Sequence, residues 1–201
     1  MIRVLLAEDQ AMVRGALAAL LCLEPDIEIV AEVGRGDQVM EAAMAHRPDV
    51  ALLDIEMPGQ NGLEAAASLH EKLPSCRVLM LTTFGRPGYL KRAMANGAVG
   101  FLTKEAPVAQ LTEAIRRTMR GERVIDPQLA MDALSEGESP LTPRERDVLE
   151  AAGQGSSIAG IASTLFLSEG TVRNYLSSAI QKLDAGNRIE AFQIAREKGW
   201  L

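Results

Sequence analysis

The stretch Asp49-Val-Ala-Leu-Leu-Asp54-Ile-Glu-Met-Pro-Gly-Gln-Asn-Gly62 decides the fold. Its first half is a short apolar run with no polar–apolar alternation, the pattern of a strand covered on both faces. The run ends in Asp54. Pro58, Gly59 and Gly62 then mark a turn before a helical stretch over 62–72. Similar runs lie outward from it at Arg3–Ala7, Glu28–Val33, Arg77–Thr82 and Gly100–Thr103, and each is followed by a helical segment, over 10–23, 36–46, 87–96 and 107–120. Five βα units in series predict an α/β fold, a doubly wound five-stranded parallel sheet with helices on both faces. This domain is set at residues 1–120.

After it the strand signal stops. Residues 121–139 contain Gly121, Pro127, Gly137 and the acids Asp132, Glu136 and Glu138, and read as a linker with a short helix around 127–134. Residues 140–201 read as a small all-α domain. Thr142-Pro143-Arg144-Glu145 is a capping box with proline at the first helical position, and Gly155 can stop that helix. Further helices are expected over 157–165, after Ser168, and over 187–198, with Trp200 covering the small core.

Composition narrows the function classes. The 201 residues are 47% hydrophobic and carry a net charge of −6, which argues against a polycation or a polybasic membrane binder. No run approaches the ~18 apolar residues of a spanning helix, so no membrane insertion is expected. The start, MIRVLLAEDQ, turns acidic too soon for a signal peptide. Cys22 and Cys76 form no CxxC motif and are expected as buried or half-buried thiols. A cytoplasmic protein is the expectation.

In a doubly wound sheet, chemistry gathers at the carboxyl ends of the strands. Here those ends are Glu8-Asp9, Asp54, Thr82 and Lys104. Carboxylates drawn together ask for a cation, and hard oxygen ligands with open positions suit Mg²⁺. Such an ion offsets the charge of an incoming phosphoryl group and leaves Asp54 as a nucleophile. Lys104 can pair with one phosphoryl oxygen and the Thr82 hydroxyl can hydrogen-bond another.

These residues resemble the CheY-like receiver domain of two-component signalling. The resemblance implies that Glu8 and Asp9 bind metal together with Asp54 and the backbone carbonyl of Glu56. It implies that Asp54 is the phospho-acceptor, Thr82 the switch hydroxyl, Phe101 the switch aromatic and Lys104 the family's lysine. Thr83 departs from the smaller residue of many receivers and is expected to narrow access to the phosphoryl group. Ala106 departs from the usual serine, leaving the following helix without a cap worth about 1 kcal/mol.

Residues Ile158–Leu183 have helix-turn-helix grammar, with Ser168 capping the second helix. Val172, Leu176, Ile180 and Leu183 recur at three-to-four spacing and should face the core. Arg173, Asn174, Ser177 and Ser178 should then face outward. Arginine and asparagine suit guanine and adenine edges in the major groove. Ser168, Thr171, Lys182, Asn187 and Arg188 are candidate phosphate contacts. The half from Ser139 has seven basic and seven acidic residues, so its basic side chains must be concentrated, or two copies must bind together.

This half resembles the LuxR-type helix-turn-helix through Leu141-Thr142, Arg144-Glu145, Gly155, Ile161-Ala162, Leu167-Ser168, Thr171-Val172, Lys182-Leu183 and Asn187-Arg188. Gly160 replaces the usual glutamate and predicts a softer helix, by up to ~1 kcal/mol. Tyr175 stands where histidine is common. Receiver plus LuxR-type domain is the layout of NarL/FixJ-type response regulators. The segments Thr82–Tyr89 and Gly170–Tyr175 look like the DesR-like regulators of membrane-lipid desaturase genes. The resemblance implies a sensor histidine kinase as donor, a homodimer on phosphorylation, through the fourth and fifth or the first and fifth helices, and double-stranded promoter DNA as target. It implies no enzyme beyond self-catalysed phosphorylation and dephosphorylation. Two other classes remain open, a phosphoryl-transfer enzyme with the same acidic pocket and a phosphorylation-independent DNA-binding protein. Room for a substrate-binding cap is missing for the first, and the intact pocket argues against the second.

Overall fold

In the computed structural model, which describes residues 1–83, 87–135 and 139–201, the chain forms two compact units, one made mostly of residues up to Met131 and the other mostly of residues from Asp132. The first is an all-parallel sheet in the order β2-β1-β3-β4-β5-β6. Its strands are β1 (Ile2–Ala7), β2 (Ile27–Val33), β3 (Val50–Asp54), β4 (Arg77–Thr82), β5 (Gly100–Thr103) and β6 (Val124–Ile125). The expectation of five strands is therefore corrected to six. β6 is only two residues long, too short to show any periodicity, and lies inside the segment read as a linker. It is recruited because Val124 and Ile125 pair with Gly100 and Phe101 of β5. The acids Glu136 and Glu138 of that segment, with Gly137, lie outside the described residues, as do Phe84, Gly85 and Arg86.

Helices α1 (Ala11–Leu21) and α5 (Val108–Met119) pack on one face of the sheet, α2 (Val39–His46) and α3 (Gly62–Lys72) on the other. α4 (Pro87–Ala95) follows β4 and buries Tyr89, Leu90 and Ala93. All five residues of β3 are buried, as its unbroken apolar run requires. β2 stays half-exposed because it is an edge strand with one neighbour. α5 starts at Val108 with Pro107 at its N-cap and no side-chain cap bond. Ala106, expected at the cap, stands one residue further out. Cys76 is buried, but Cys22 is exposed at the end of α1, against the expectation for both thiols. After α6 (Pro127–Ser135), the second unit is helical throughout: α7 (Pro143–Gly153), α8 (Ile158–Thr164), α9 (Glu169–Lys182) and α10 (Arg188–Glu197). Its core joins Val148, Leu149, Ile161, Val172, Leu176 and Leu183, with Trp200 partly buried against them.

Gly15 sits inside α1 with nothing within 4 Å of where a Cβ would stand. Gly15→Ala is expected to stabilise the chain by about 0.5–1 kcal/mol, because glycine costs helix entropy and the methyl meets no neighbour. A urea denaturation midpoint that falls instead of rising contradicts this.

Candidate phosphoacceptor site and nucleic-acid interface

The register of the sheet brings the expected residues to one edge. Ala7 lies opposite Leu53, Asp54 opposite Leu81 and Thr82 opposite Thr103, so β1, β3, β4 and β5 end together. Glu8, Asp54 and Thr82 are buried there, while Asp9 is exposed. The Lys104 ammonium reaches back from the end of β5 to both acids, 2.6 Å from Glu8 Oε2 and 3.0 Å from Asp54 Oδ2. Asp54 Oδ1 accepts a hydrogen bond from the Ile55 N–H at 2.8 Å. Burial pushes the Asp54 carboxyl up to about 6 against the pull of Lys104. Burial also opposes the charge on Lys104, but its bonds to Glu8 and Asp54 hold its pKa above the usual lysine value.

The loop after Asp54 is tightly pinned. The N–H groups of Met57 and Gly62 both donate to the Ile55 carbonyl, and Asn61 caps α3 through the Glu64 N–H. Gly59 takes a φ of 84°, which favours glycine. A Cβ on Gly62 would collide with the Asp54 carbonyl oxygen, so the second glycine answers a close backbone approach. A cavity of about 140 Å³ opens beside Asp54, lined by Asp9, Gln10, Glu56, Thr82, Thr83 and Tyr89. Gln10 and Tyr89, the latter from α4, are wall residues to which the sequence assigned no site role; nothing in its local pattern separates Tyr89 from an ordinary core aromatic.

Carboxylate oxygens of Glu8, Asp9 and Asp54 lie within 4.8 Å of one another. The Lys104 ammonium meets two of these carboxylates, Glu8 and Asp54, and Asp9 adds a third acid beside them. This donor set fits a hard divalent cation such as Mg²⁺. Phe101 is fully buried on β5. It pairs with Met80, two residues before Thr82, so Phe101 and Thr82 point to the same face of the sheet.

In the helical unit, α8 and α9 are joined by a tight turn in which Phe166 has a φ of 55° and is 94% exposed. The Ser157 hydroxyl caps α8 at the Gly160 N–H. Ser168 caps α9, accepting from the Thr171 N–H and sharing a hydrogen bond with the Thr171 hydroxyl. Val172, Leu176 and Leu183 face the core and Ile180 is half-buried, while Arg173, Asn174 and Ser177 face outward. Ser178, expected to face outward, and Lys182 and Asn187, expected at phosphates, have partners within the unit. Ser178 donates to Glu145 Oε1 at 2.6 Å, the Lys182 ammonium meets Glu145 Oε2 at 2.7 Å, and Asn187 caps α10. Arg188, at the first position of α10, is half-buried.

The family model for the response regulator receiver domain matches residues 4–116, and that for bacterial regulatory proteins of the luxR family matches residues 139–195. The transcriptional regulatory protein DesR of Bacillus subtilis (strain 168) is 46% identical over the whole of both chains. The uncharacterized transcriptional regulatory protein YvfU of the same organism is 45% identical, again over the whole of both. The crystal structure of the response regulator ChrA of a heme-sensing two-component system is 33% identical, with a TM-score of 0.59 over 100% of this chain and 98% of that one. The chain belongs to the LuxR-type response regulators. It pairs a receiver with a DNA-binding domain, and its relatives are transcriptional regulators.

In this response regulator the sequence reading found the Thr142–Glu145 capping box, and both of its bonds are present. It did not find that Glu145 also ties α9 to α7, because Ser178 and Lys182 lie 33 and 37 residues away. Burial opposes the Glu145 charge, but Lys182, Ser178 and Thr142 outweigh it and hold the carboxyl at about 2. A folded-state value below the unfolded one contributes stability above the unfolded pKa, and that stability is lost as pH falls. We expect the full chain to lose up to about 3 kcal/mol between roughly pH 5 and 2 from this group. Glu145→Gln should be less stable at pH 7 and lack that part of the acid dependence. Parallel urea titrations for the two chains would contradict this.

Proposed function

We propose that Asp54 accepts a phosphoryl group from a sensor histidine kinase in the cytoplasm, and that the phosphorylated protein binds promoter DNA as a homodimer. The observation that carries this reading is the Lys104 ammonium 3.0 Å from Asp54 Oδ2, with Asp54 itself lining a cavity of about 140 Å³. In the transfer, the P–N bond to the kinase histidine breaks and a P–O bond to the Asp54 carboxylate forms. Lys104 then pairs with a phosphoryl oxygen, and the Thr82 hydroxyl donates to another. Glu8, Asp9, Asp54 and the Glu56 carbonyl would hold Mg²⁺, which when bound offsets the charge of the phosphoryl oxygens. Phe101, on the same sheet face as Thr82, is the residue we assign to follow the Thr82 movement. No substrate is turned over apart from the phosphoryl group itself. The receiver takes in β6, past residue 120, before the chain leaves for the DNA-binding domain of residues 140–201.

Among the described residues no helix is long and apolar enough to cross a membrane. We assign base reading to Arg173 and Asn174, with Ser177 beside them and Ser168, Thr171 and Arg188 toward phosphates. Lys182 and Asn187, the other candidate phosphate contacts, have side-chain partners at Glu145 and at the start of α10. DesR and YvfU are 46% and 45% identical, so identity does not favour a desaturase target over another.

Intact mass after incubation with Mg²⁺ and acetyl phosphate is expected to show one added phosphoryl group, absent in Asp54→Ala. A gain that persists in the variant overturns the assignment.

For dimerisation, of the two expected helix pairs, the fourth with the fifth and the first with the fifth, we assign the pair of α1 and α5. An apolar groove of about 310 Å³ runs between α1 and α5, lined by Met12, Ala16, Leu17, Leu20, Val108 and Leu111. Met12 is 87% exposed. A second copy of the chain is the occupant we assign, because an apolar rim this open is stabilised by self-association. Met12→Glu is expected to take up acetyl phosphate normally yet stay monomeric by light scattering. A phosphorylated Met12→Glu dimer would place the interface elsewhere.

A further inference from the structure

Glu169 opens the recognition helix α9, directly after the Ser168 cap. One turn later stands Arg173, whose Nη2 donates to Glu169 Oε2 at 2.8 Å. Both side chains are largely in solvent, 50% and 58% exposed. An ion pair this open contributes little to stability. Its position is what matters. The two charges lie on the outward face shared with Asn174 and Ser177. That face has to approach a polyanion, in a domain whose acidic and basic residues balance. A carboxylate there is repelled by phosphates and by the acceptor edges of guanine and thymine. It is tolerated where the groove offers it a donor, and glutamate suits the exocyclic amino group of cytosine.

We propose that Glu169 is a specificity-determining residue. With Arg173 it forms a two-residue reader of double-stranded DNA. Arg173 donates to the O6 and N7 acceptors of a guanine, and Glu169 accepts from the amino group of a cytosine. On other sequences the carboxylate meets acceptors, and that repulsion weakens binding. This rests on the base-reading role proposed for Arg173. The competing role for Glu169 is purely local, a first-turn acid that favours the helix dipole. That role leaves DNA sequence preference untouched.

The test is selection from a random-sequence duplex library by the full-length chain treated with acetyl phosphate and Mg²⁺. Wild type, Arg173→Ala, Glu169→Gln and Glu169→Ala are compared. Arg173→Ala is expected to lose the preference for guanine at one position of the selected motif. Glu169→Gln should change one cytosine to adenine, because glutamine pairs with adenine N6 and N7. Glu169→Ala should lose the preference there and bind random duplex more tightly. Its ratio of selected-site to random-site affinity should fall about tenfold. If both Glu169 variants select the wild-type motif while Arg173→Ala does not, Glu169 is only a helix-end charge and the inference is overturned. If Arg173→Ala also selects the wild-type motif, the base-reading role of Arg173 fails, and this inference with it.

Discussion

The Lys104 ammonium, held between the carboxylates of Glu8 and Asp54, is the interaction on which the receiver depends. Buried carboxylates cannot be drawn together at the end of a sheet without a counter-charge. Lys104 supplies one, and only one. Asp9 adds a third acid at the same edge, and the Asp54 carboxyl stays raised to about 6 even with the ammonium beside it. Burial is what raises that carboxyl, and the three clustered carboxylates leave the site with more acids than the one ammonium meets. That excess of acids favours a divalent cation, and the same lysine is then at hand to meet the oxygens of a phosphoryl group.

This arrangement constrains much of the surrounding fold. Glu8, Asp54 and Lys104 come from the ends of β1, β3 and β5, which converge only because the strands end in register. The turn after Asp54 must close tightly enough for Gly62 to lie against the Asp54 carbonyl. Phe101 and Thr82 share a sheet face through the pairing of Phe101 with Met80. A slip of one residue in any of these strands would send a site residue to the wrong face.

The helical unit solves a related problem with opposite charges. Glu145 is a buried acid, and it is satisfied by the Thr142 N–H, the Ser178 hydroxyl and the Lys182 ammonium. The recognition helix is therefore fastened to α7 by a charged strut near its C-terminal end, while Arg173 near its N-terminal end remains outward. Lysine and arginine on one helix have different partners, Lys182 a buried acid of α7 and Arg173 an exposed acid of α9.

Most of the architecture was legible in the sequence. Apolar runs without alternation marked β1 to β5, and the Thr142–Glu145 and Ser168–Thr171 spacings marked two helix starts, because each signal is local to a few residues. The acidic pocket was legible too, since strand ends in a parallel sheet converge wherever the order of βα units is known. β6 escaped because two residues carry no period, and its pairing with β5 is a long-range event. Tyr89 as a wall of the Asp54 cavity escaped for the same reason. What the sequence determined by itself was which residues are helix, strand and chemistry, through periodicity and capping. The tertiary structure alone decided which charges are spent inside the protein. Lys182 meets a buried carboxylate from α7, whereas Arg173 meets an exposed one on its own helix.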